Sequence, residues 1–399
     1  MASSEGLLSL SECLPTPAAA AQTHNGFLYD VTKSWAENLA AGPPFRGRLP
    51  ERAAEGRPSD EVDHFLGRFT LRSQIGVPAG PLLDSAYTSL AGSLGYDLVT
   101  YKTIRSGPSQ GHPPPNIVLV DTPRAIEALA LGATGEPLVC QPFGEPDSLL
   151  ERVGASDISI TNSFGMPSMD PAFLMGDIRK AVASLAPGQL LVVSVTASPN
   201  PADPSEASFL QDLLAVSHLA VAAGAPVLEV NLSCPNVSTG EGSLYTDPQR
   251  SSALIKALVA DLAASSASPP PVIVKVGQYP DDDALFSFLR QIASAGAAAV
   301  CGINSLSATV VDANKQPALS PSRLTSGVCG AAIRAAALRF VRVAAGCIRS
   351  EGLPLDLIGC GGIASVDDIQ AMLDAGAKVV VTATGCIWDP YLATRWHRR

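Results

Sequence analysis

The sequence predicts an α/β fold, specifically a (β/α)8 TIM barrel preceded by an N-terminal extension. From about residue 70 onward, short β-rich runs alternate with longer helical segments rich in Ala and Leu. The β-rich runs are almost continuously apolar, which is typical of parallel strands buried on both faces. Eight such units follow one another to the end of the chain, as a closed barrel of this kind requires.

Each predicted barrel strand ends at a small or polar residue. The eight runs are 75–80, 98–103, 190–197, 227–233, 272–277, 299–305, 357–362 and 379–385, and the predicted helices between them include 208–223, 251–265, 284–295, 331–349 and 366–375. A further run, 157–162, is shorter and leads into a polar loop, so we place it outside the barrel. A doubly wound sheet is the alternative architecture, but the first β–α turn, residues 76–81, lacks the G-x-G-x-x-G fingerprint typical of that fold.

We interpret residues 1–70 as an N-terminal extension that is only partly ordered, with a short helix around 32–39, and residues 71–399 as the catalytic barrel. The extension has Ala-rich and Pro-rich stretches and a polar, charged segment at 51–60. None of these carries recognisable chemistry.

Composition excludes several classes of protein. A net charge of −10 and a pI near 5.0 argue against nucleic-acid binding, which needs a surplus of Lys and Arg. The eight cysteines form no C-x-x-C pair, so neither a zinc ribbon nor an iron–sulfur cluster is indicated. No secretory signal and no apolar stretch long enough for a membrane span is present, so we expect a cytoplasmic protein without bound metal.

Two lysines close apolar strands at the predicted mouth of the barrel. Lys102 and Lys275 each follow a buried run, and a lysine there is costly to desolvate unless it faces an anion. We therefore expect both to contact a ligand. Gly361, Gly362 and Thr384 follow the last two strands, which is the usual phosphate-binding position in these barrels.

Neutral amides recur at the same end of the barrel, at Asn162, Asn231, Asn236 and Asn304 (followed by Ser305). Amides can satisfy a C=O and an N–H together, which suits a flat heterocycle such as a pyrimidine. None of the five histidines lies at a barrel strand end. Cys234 is therefore the candidate proton-transfer group, since a thiol near lysines can acquire a useful pKa.

These residues resemble the dihydroorotate dehydrogenase family, specifically its soluble class with a cysteine base. The similarity spans about residues 70–395 and is strongest at 231–237 (NLSCPNV). Residues 162–168 (NSFGMPS) are similar to the N-S-M-G-L-P-N segment of the family, and 101–103 (YKT), 274–276 (VKV), 303–305 (INS) and 359–363 (GCGGI) match as well. Membrane-bound members carry serine in place of the cysteine and have an N-terminal membrane helix.

The resemblance implies FMN across the barrel mouth and a pyrimidine stacked on it. Residues implied to contact FMN are Ala79, Gly80, Lys102, Thr103, Asn231, Lys275 (near the N1/O2 edge), and, around the phosphate, Gly330, Gly361, Gly362 and Thr384. Residues implied to hold the substrate are Lys102, Asn162, Phe164, Gly165, Met166, Asn231, Asn236, Asn304 and Ser305. Cys234 would remove the C5 proton of dihydroorotate while hydride leaves C6 for flavin N5, and the loop 238–245 would act as a mobile lid.

The chain departs from the family pattern at several positions. Phe164 and Ser168 replace Met and Asn, Ala383 stands where Gly is frequent, and the stretch 107–116 is not part of the compact form. Two alternatives stay open: a flavin oxidoreductase of another reduced pyrimidine, similar to dihydropyrimidine dehydrogenase, and a flavin-free phosphate-binding barrel enzyme. The resemblance suggests a homodimer. The sequence leaves the electron acceptor open among fumarate, a quinone, oxygen and a partner subunit.

Overall fold

The computed structural model describes residues 28–50, 60–130, 137–143, 153–233 and 240–399. Its strands are β1 Val62–Phe65, β2 Phe69–Leu71, β3 Ile75–Val77, β4 Leu98–Ile104, β5 Leu119–Val120, β6 Leu138–Gln141, β7 Ser159–Asn162, β8 Leu190–Val195, β9 Leu228–Asn231, β10 Val272–Lys275, β11 Ala299–Gly302, β12 Leu306–Val311, β13 Thr325–Gly330, β14 Asp356–Cys360 and β15 Val379–Val381. Its α-helices are α1 Trp35–Ala41, α2 Ser85–Ser93, α3 Thr122–Ala130, α4 Pro171–Ser184, α5 Glu206–Ala222, α6 Pro248–Ser265, α7 Asp282–Ser294, α8 Arg334–Glu351, α9 Val366–Asp374, α10 Thr384–Trp388 and α11 Leu392–Arg398.

Eight parallel strands close the predicted barrel. Their order is β3-β4-β8-β9-β10-β11-β14-β15, and the pairing of Val380 with Ile75 joins the last strand to the first. Each of the eight apolar runs in the sequence overlaps one of these strands, so the TIM-barrel prediction is confirmed. Alternate strand positions such as Leu98, Val192 and Ile273 point inward and pack into one apolar cluster, as the period of a strand dictates.

A second, five-stranded sheet is inserted at one end of the barrel. Its strands β12, β13, β7, β5 and β6 also close on themselves. Every one of them is inserted after a barrel strand, either between β4 and β8 or between β11 and β14, so the sheet lies at the C-terminal end of the barrel. The run 157–162, which we placed outside the barrel, forms β7 of this sheet.

The described parts of residues 28–70 pack against the barrel at both ends. The β1–β2 hairpin covers the N-terminal end, where Phe65 and Leu71 join the apolar cluster of the barrel interior. The amide N–H of Leu66 donates to Asp356. Near the other end, helix α1 begins at a capping box formed by Ser34 and Glu37.

None of the helices in the described ranges is both long and apolar enough to cross a membrane. The same ranges contain no group of three or more His, Cys, Asp or Glu side chains arranged to hold a metal ion.

Candidate active site

A broad cleft, with about 1220 Å³ of free space when the part open to solvent is counted, lies at the C-terminal ends of the barrel strands. The cleft is lined by the following residues that the sequence singled out: Ala79, Gly80, Lys102, Thr103, Asn162, Phe164, Gly165, Met166, Asn231, Lys275, Asn304, Ser305, Gly330, Gly361, Gly362 and Thr384. Cys234 and Asn236 lie outside the described residues.

The floor of the cleft is formed by the last residue of β10. Lys275 is 3% exposed, and its ammonium donates to the Sγ of Cys360 at 3.4 Å. Burial by itself would lower the pKa of Lys275, but Cys301, Cys360 and Glu229 together outweigh that effect and raise it. The lysine therefore holds a positive charge at a point where a bound ring with an electron-rich edge would meet it.

An amide network joins the ends of β4, β8 and β9. Asn231 donates to Thr103 Oγ1 at 3.5 Å, and Thr103 Oγ1 lies 2.9 Å from Ser194 Oγ. The carbonyl oxygen of the Asn231 side chain accepts from the backbone N–H of Ser233 at 3.1 Å. Asn304 is held in a similar way, because its amide donates to the carbonyl of Ser233. These side chains are thus fixed in orientation before any ligand binds.

The loop after β7 is clamped by the stretch 105–116. Arg105, which is 7% exposed, donates from Nε to the carbonyl of Met166 at 3.2 Å. Ser109 and Ser168 exchange two backbone hydrogen bonds of 2.9 Å. Gly165 and Met166 both have positive φ values, 71° and 52°, so this clamp holds the loop in an uncommon conformation. The stretch 107–116, which is not part of the compact family form, therefore holds the loop after β7 in its conformation.

Glycine turns form one end of the cleft, as expected for a phosphate cradle. Gly361 and Gly362 have φ values of 118° and 73°, and a Cβ on Gly362 would lie 2.5 Å from Arg334 Cα. In the described part of the chain, neither glycine N–H has an acceptor. The guanidinium of Arg334 braces the turn through a 2.8 Å bond to the carbonyl of Gly362. Free amides on a braced, glycine-only turn fit the phosphate of FMN.

Several cleft residues were not identified from the sequence. Tyr29 and Trp35 reach the cleft from the N-terminal extension, to which we assigned no chemistry. Tyr29 packs edge-on against Phe164, with ring centroids 5.9 Å apart. No local pattern signals such long-range packing. Cys360 could have been found, because it directly precedes the Gly361-Gly362 turn at the end of an interior strand.

Comparison with known proteins places the chain in a family. The family model for dihydroorotate dehydrogenase matches residues 69–397. The dihydroorotate dehydrogenase of Dictyostelium discoideum is 41% identical over 373 residues, which cover 93% of this chain and 96% of that protein. The catalytic subunit of dihydroorotate dehydrogenase B (NAD(+)) from Bacillus pumilus is 33% identical over 165 residues, 41% of this chain and 49% of that protein.

A solved structure supports the architecture. The crystal structure of DHODH from Eimeria tenella in complex with ferulenol superposes with a TM-score of 0.66 and covers 98% of this chain and 92% of that one. At 19% identity it shows the fold alone. The family model and the long match to the Dictyostelium protein carry the assignment. The chain therefore belongs to the dihydroorotate dehydrogenase family, a family of oxidoreductases that act on a CH–CH bond.

Proposed function

We propose that this protein oxidises (S)-dihydroorotate to orotate with FMN as its cofactor, as a step of de novo pyrimidine (UMP) biosynthesis, and that it belongs to the soluble class with a cysteine base. The observation that carries the proposal is the set of oriented amides and buried lysines around one cleft, in a chain that belongs to this family. When bound, FMN supplies the two-electron acceptor for the hydride that leaves C6 of the substrate.

Three groups of residues would hold FMN. Ala79 and Gly80, with Thr103 and Asn231, would contact the ring, and Lys275 would lie at its electron-rich edge. Gly330, Gly361, Gly362 and Thr384 would surround the phosphate. What supports this division is that the buried cation lies on the barrel floor, whereas the unpaired amides lie on the glycine turns.

The pyrimidine would be held by Asn162, Asn231, Asn236, Asn304 and Ser305. Lys102 is 8% exposed in β4, two residues before the strand ends at Ile104, and it would meet the substrate carboxylate together with the backbone of 164–166. Arg105 adds a second buried positive charge behind the same loop. A carboxylate-bearing ring is favoured by this arrangement over an uncharged one, since buried cations are stabilised by an anionic ligand.

Cys234 would remove the C5 proton. Cys234 lies outside the described residues, and it directly follows Ser233, whose carbonyl accepts from Asn304 at the cleft wall. The cleft contains two buried lysines, Lys102 and Lys275, and a thiol that acts next to such charges can ionise at neutral pH. We expect Cys234→Ser to slow flavin reduction by dihydroorotate strongly while orotate binding stays within a few-fold. Stopped-flow absorbance measures the first, and an equilibrium titration the second. Unchanged reduction kinetics would remove Cys234 as the base.

The decisive experiment starts from the visible spectrum of the purified protein, followed by anaerobic addition of dihydroorotate. A yellow protein that dihydroorotate bleaches supports the proposal. A colourless protein that cannot be reconstituted with FMN overturns the assignment of FMN as the cofactor. A yellow protein that is bleached by dihydrouracil alone overturns the assignment of dihydroorotate as the substrate. We further propose that the protein is a homodimer, as the resemblance suggests, and that it is cytoplasmic, as the sequence features indicate. The same reduced protein, mixed in turn with fumarate, a quinone and oxygen, identifies the electron acceptor.

A further inference from the structure

The barrel interior directly below the cleft contains four titratable side chains that are shielded from solvent. Lys275, Glu229, Cys301 and Cys360 are 3%, 2%, 1% and 7% exposed. Cys360 also lines the cleft. It accepts a hydrogen bond from the ammonium of Lys275 at 3.4 Å. The ammonium of Lys275 therefore points at one sulfur at the floor of the cofactor site.

Lys275 needs a negative partner because a buried ammonium is costly to leave uncompensated. Within the described ranges it forms no ion pair with a carboxylate, and Oε1 of the nearby Glu229 has no hydrogen-bond partner. The sulfur of Cys360 is the group that the ammonium contacts. Geometry thus selects the thiol, rather than the carboxylate, as the counter-charge.

The two cysteines differ in their ability to ionise. Burial raises the pKa of Cys301, which therefore stays a thiol and can donate its S–H. The pKa of Cys360 is lowered by the neighbouring thiol of Cys301, against the opposing effect of burial, and further by the positive charge of Lys275, whose ammonium lies 3.4 Å from the sulfur. Glu229 acts in the opposite direction on Cys360, and its effect is smaller.

We propose that Cys360 is a thiolate that pairs with Lys275 on the barrel floor, and that this pair lowers the reduction potential of the bound flavin. The proposal rests on the proposed function, since it requires FMN in the cleft. A flavin gains negative charge at its N1/O2 edge on reduction, and Lys275 would stabilise that charge. A thiolate against the same lysine offsets the stabilisation, so the oxidised cofactor is favoured relative to a site without the thiolate. Cys360 would be a residue that tunes the cofactor through Lys275.

The test is the midpoint potential of the FMN-loaded protein, measured by equilibration with a reference dye. Cys360→Ser keeps the shape of the side chain but not its charge, and Cys360→Ala removes both. In each variant we expect the equilibrium to favour reduced flavin by tenfold or more, which is about 30 mV for a two-electron couple. Cys301→Ala should shift it in the same direction. Cys140→Ala, at a buried thiol in the second sheet, is the matched control and should leave the potential unchanged.

Four results would contradict the proposal. A midpoint potential that stays at the wild-type value in both Cys360 variants shows that no negative charge on Cys360 acts on the flavin. A shift in Cys360→Ala but not in Cys360→Ser makes the effect one of packing. A shift in Glu229→Gln with none in the Cys360 variants makes Glu229 the counter-charge. A wild-type protein that binds no flavin overturns the proposed function, and this proposal with it.

Discussion

At the residue scale, the proposed choice of substrate is tested most directly at Lys102. It lies two residues before the end of β4, is 8% exposed, and its ammonium donates to the carbonyl of Thr103 at 3.4 Å. A hydrogen bond to a charged group contributes about 1.5–3 kcal/mol, so we expect Lys102→Gln to weaken orotate binding about 10- to 150-fold. Titration of the flavin absorbance with orotate measures this loss.

Uracil, which lacks the carboxylate, is the matched ligand for the same variant. Its affinity should change little in Lys102→Gln, because the lost interaction involves only the carboxylate. Lys102→Arg should recover part of the orotate affinity, since it keeps the charge but not the shape of the ammonium. Equal losses for orotate and uracil would mean that Lys102 supports the cofactor or the fold rather than the carboxylate.

At the element scale, the loop between β7 and α4 depends on one glycine. Gly165 has a φ of 71°, and a Cβ there would lie 2.7 Å from Nε2 of His112. A non-glycine residue in this region costs about 1–2 kcal/mol before any clash is counted. We expect Gly165→Ala to displace the loop and to weaken orotate binding by about tenfold or more, as measured by the same titration.

Gly176 offers the matched control inside α4, the helix that follows this loop. A Cβ there would meet nothing within 4 Å, and its φ is not positive. Gly176→Ala should therefore leave orotate binding unchanged and stabilise the protein by about 0.5–1 kcal/mol, since alanine is the better helix former. Should Gly165→Ala bind orotate as tightly as Gly176→Ala does, the loop is not part of the substrate site.

Elements also differ in how well the sequence predicts them. The eight barrel strands could be predicted because each is buried on both faces and reads as one apolar run, such as Val272–Lys275. Strand β12 was not predicted: its buried and exposed residues alternate within a loop-like sequence, and it is defined by its partners β13 and β6. Local pattern contains no information about such pairings.

Residues of the candidate site likewise divide into those that a local pattern predicts and those that long-range packing brings in. Residues at strand ends, such as Asn231 and Lys275, could be identified because a barrel brings all its strand ends to one mouth. Tyr29 could not, because more than forty residues separate it from the first barrel strand. Arg105 was overlooked for a different reason. It acts on the backbone of Met166 rather than on the cleft itself, and a buried arginine bonded to a carbonyl leaves no signature in sequence.

At the scale of the whole molecule, the N-terminal segment, by which we mean residues 28–50, shares one core with the barrel. Leu28, Tyr29 and Val31 belong to the same buried cluster as the barrel helices. Arg399 forms a bidentate ion pair with Asp60, in which each of the two guanidinium N–H groups lies 2.9 Å from a carboxylate oxygen. We therefore expect the segment to unfold together with the barrel rather than before it.

Tyr29 tests this coupling. It is 3% exposed, so Tyr29→Ala should lower the free energy of unfolding by about 3–5 kcal/mol, the usual cost of losing a buried aromatic ring. Its hydroxyl has no hydrogen-bond partner among the described residues, and the nearby amide of Asn38 donates to backbone carbonyls instead. Tyr29→Phe, which removes only that hydroxyl, should therefore be neutral or slightly stabilising.

Urea unfolding of both variants distinguishes one cooperative unit from two separate units. Circular dichroism follows the barrel, and the fluorescence of released flavin follows the cleft. If the segment and the barrel form one cooperative unit, both signals shift together to lower urea in Tyr29→Ala and stay near wild type in Tyr29→Phe. If the segment is a separate appendage, the circular dichroism transition of Tyr29→Ala stays in place while flavin is released earlier. That second result would divide the chain into two units, because a residue that lines the cleft would then contribute nothing to the stability of the barrel beneath it.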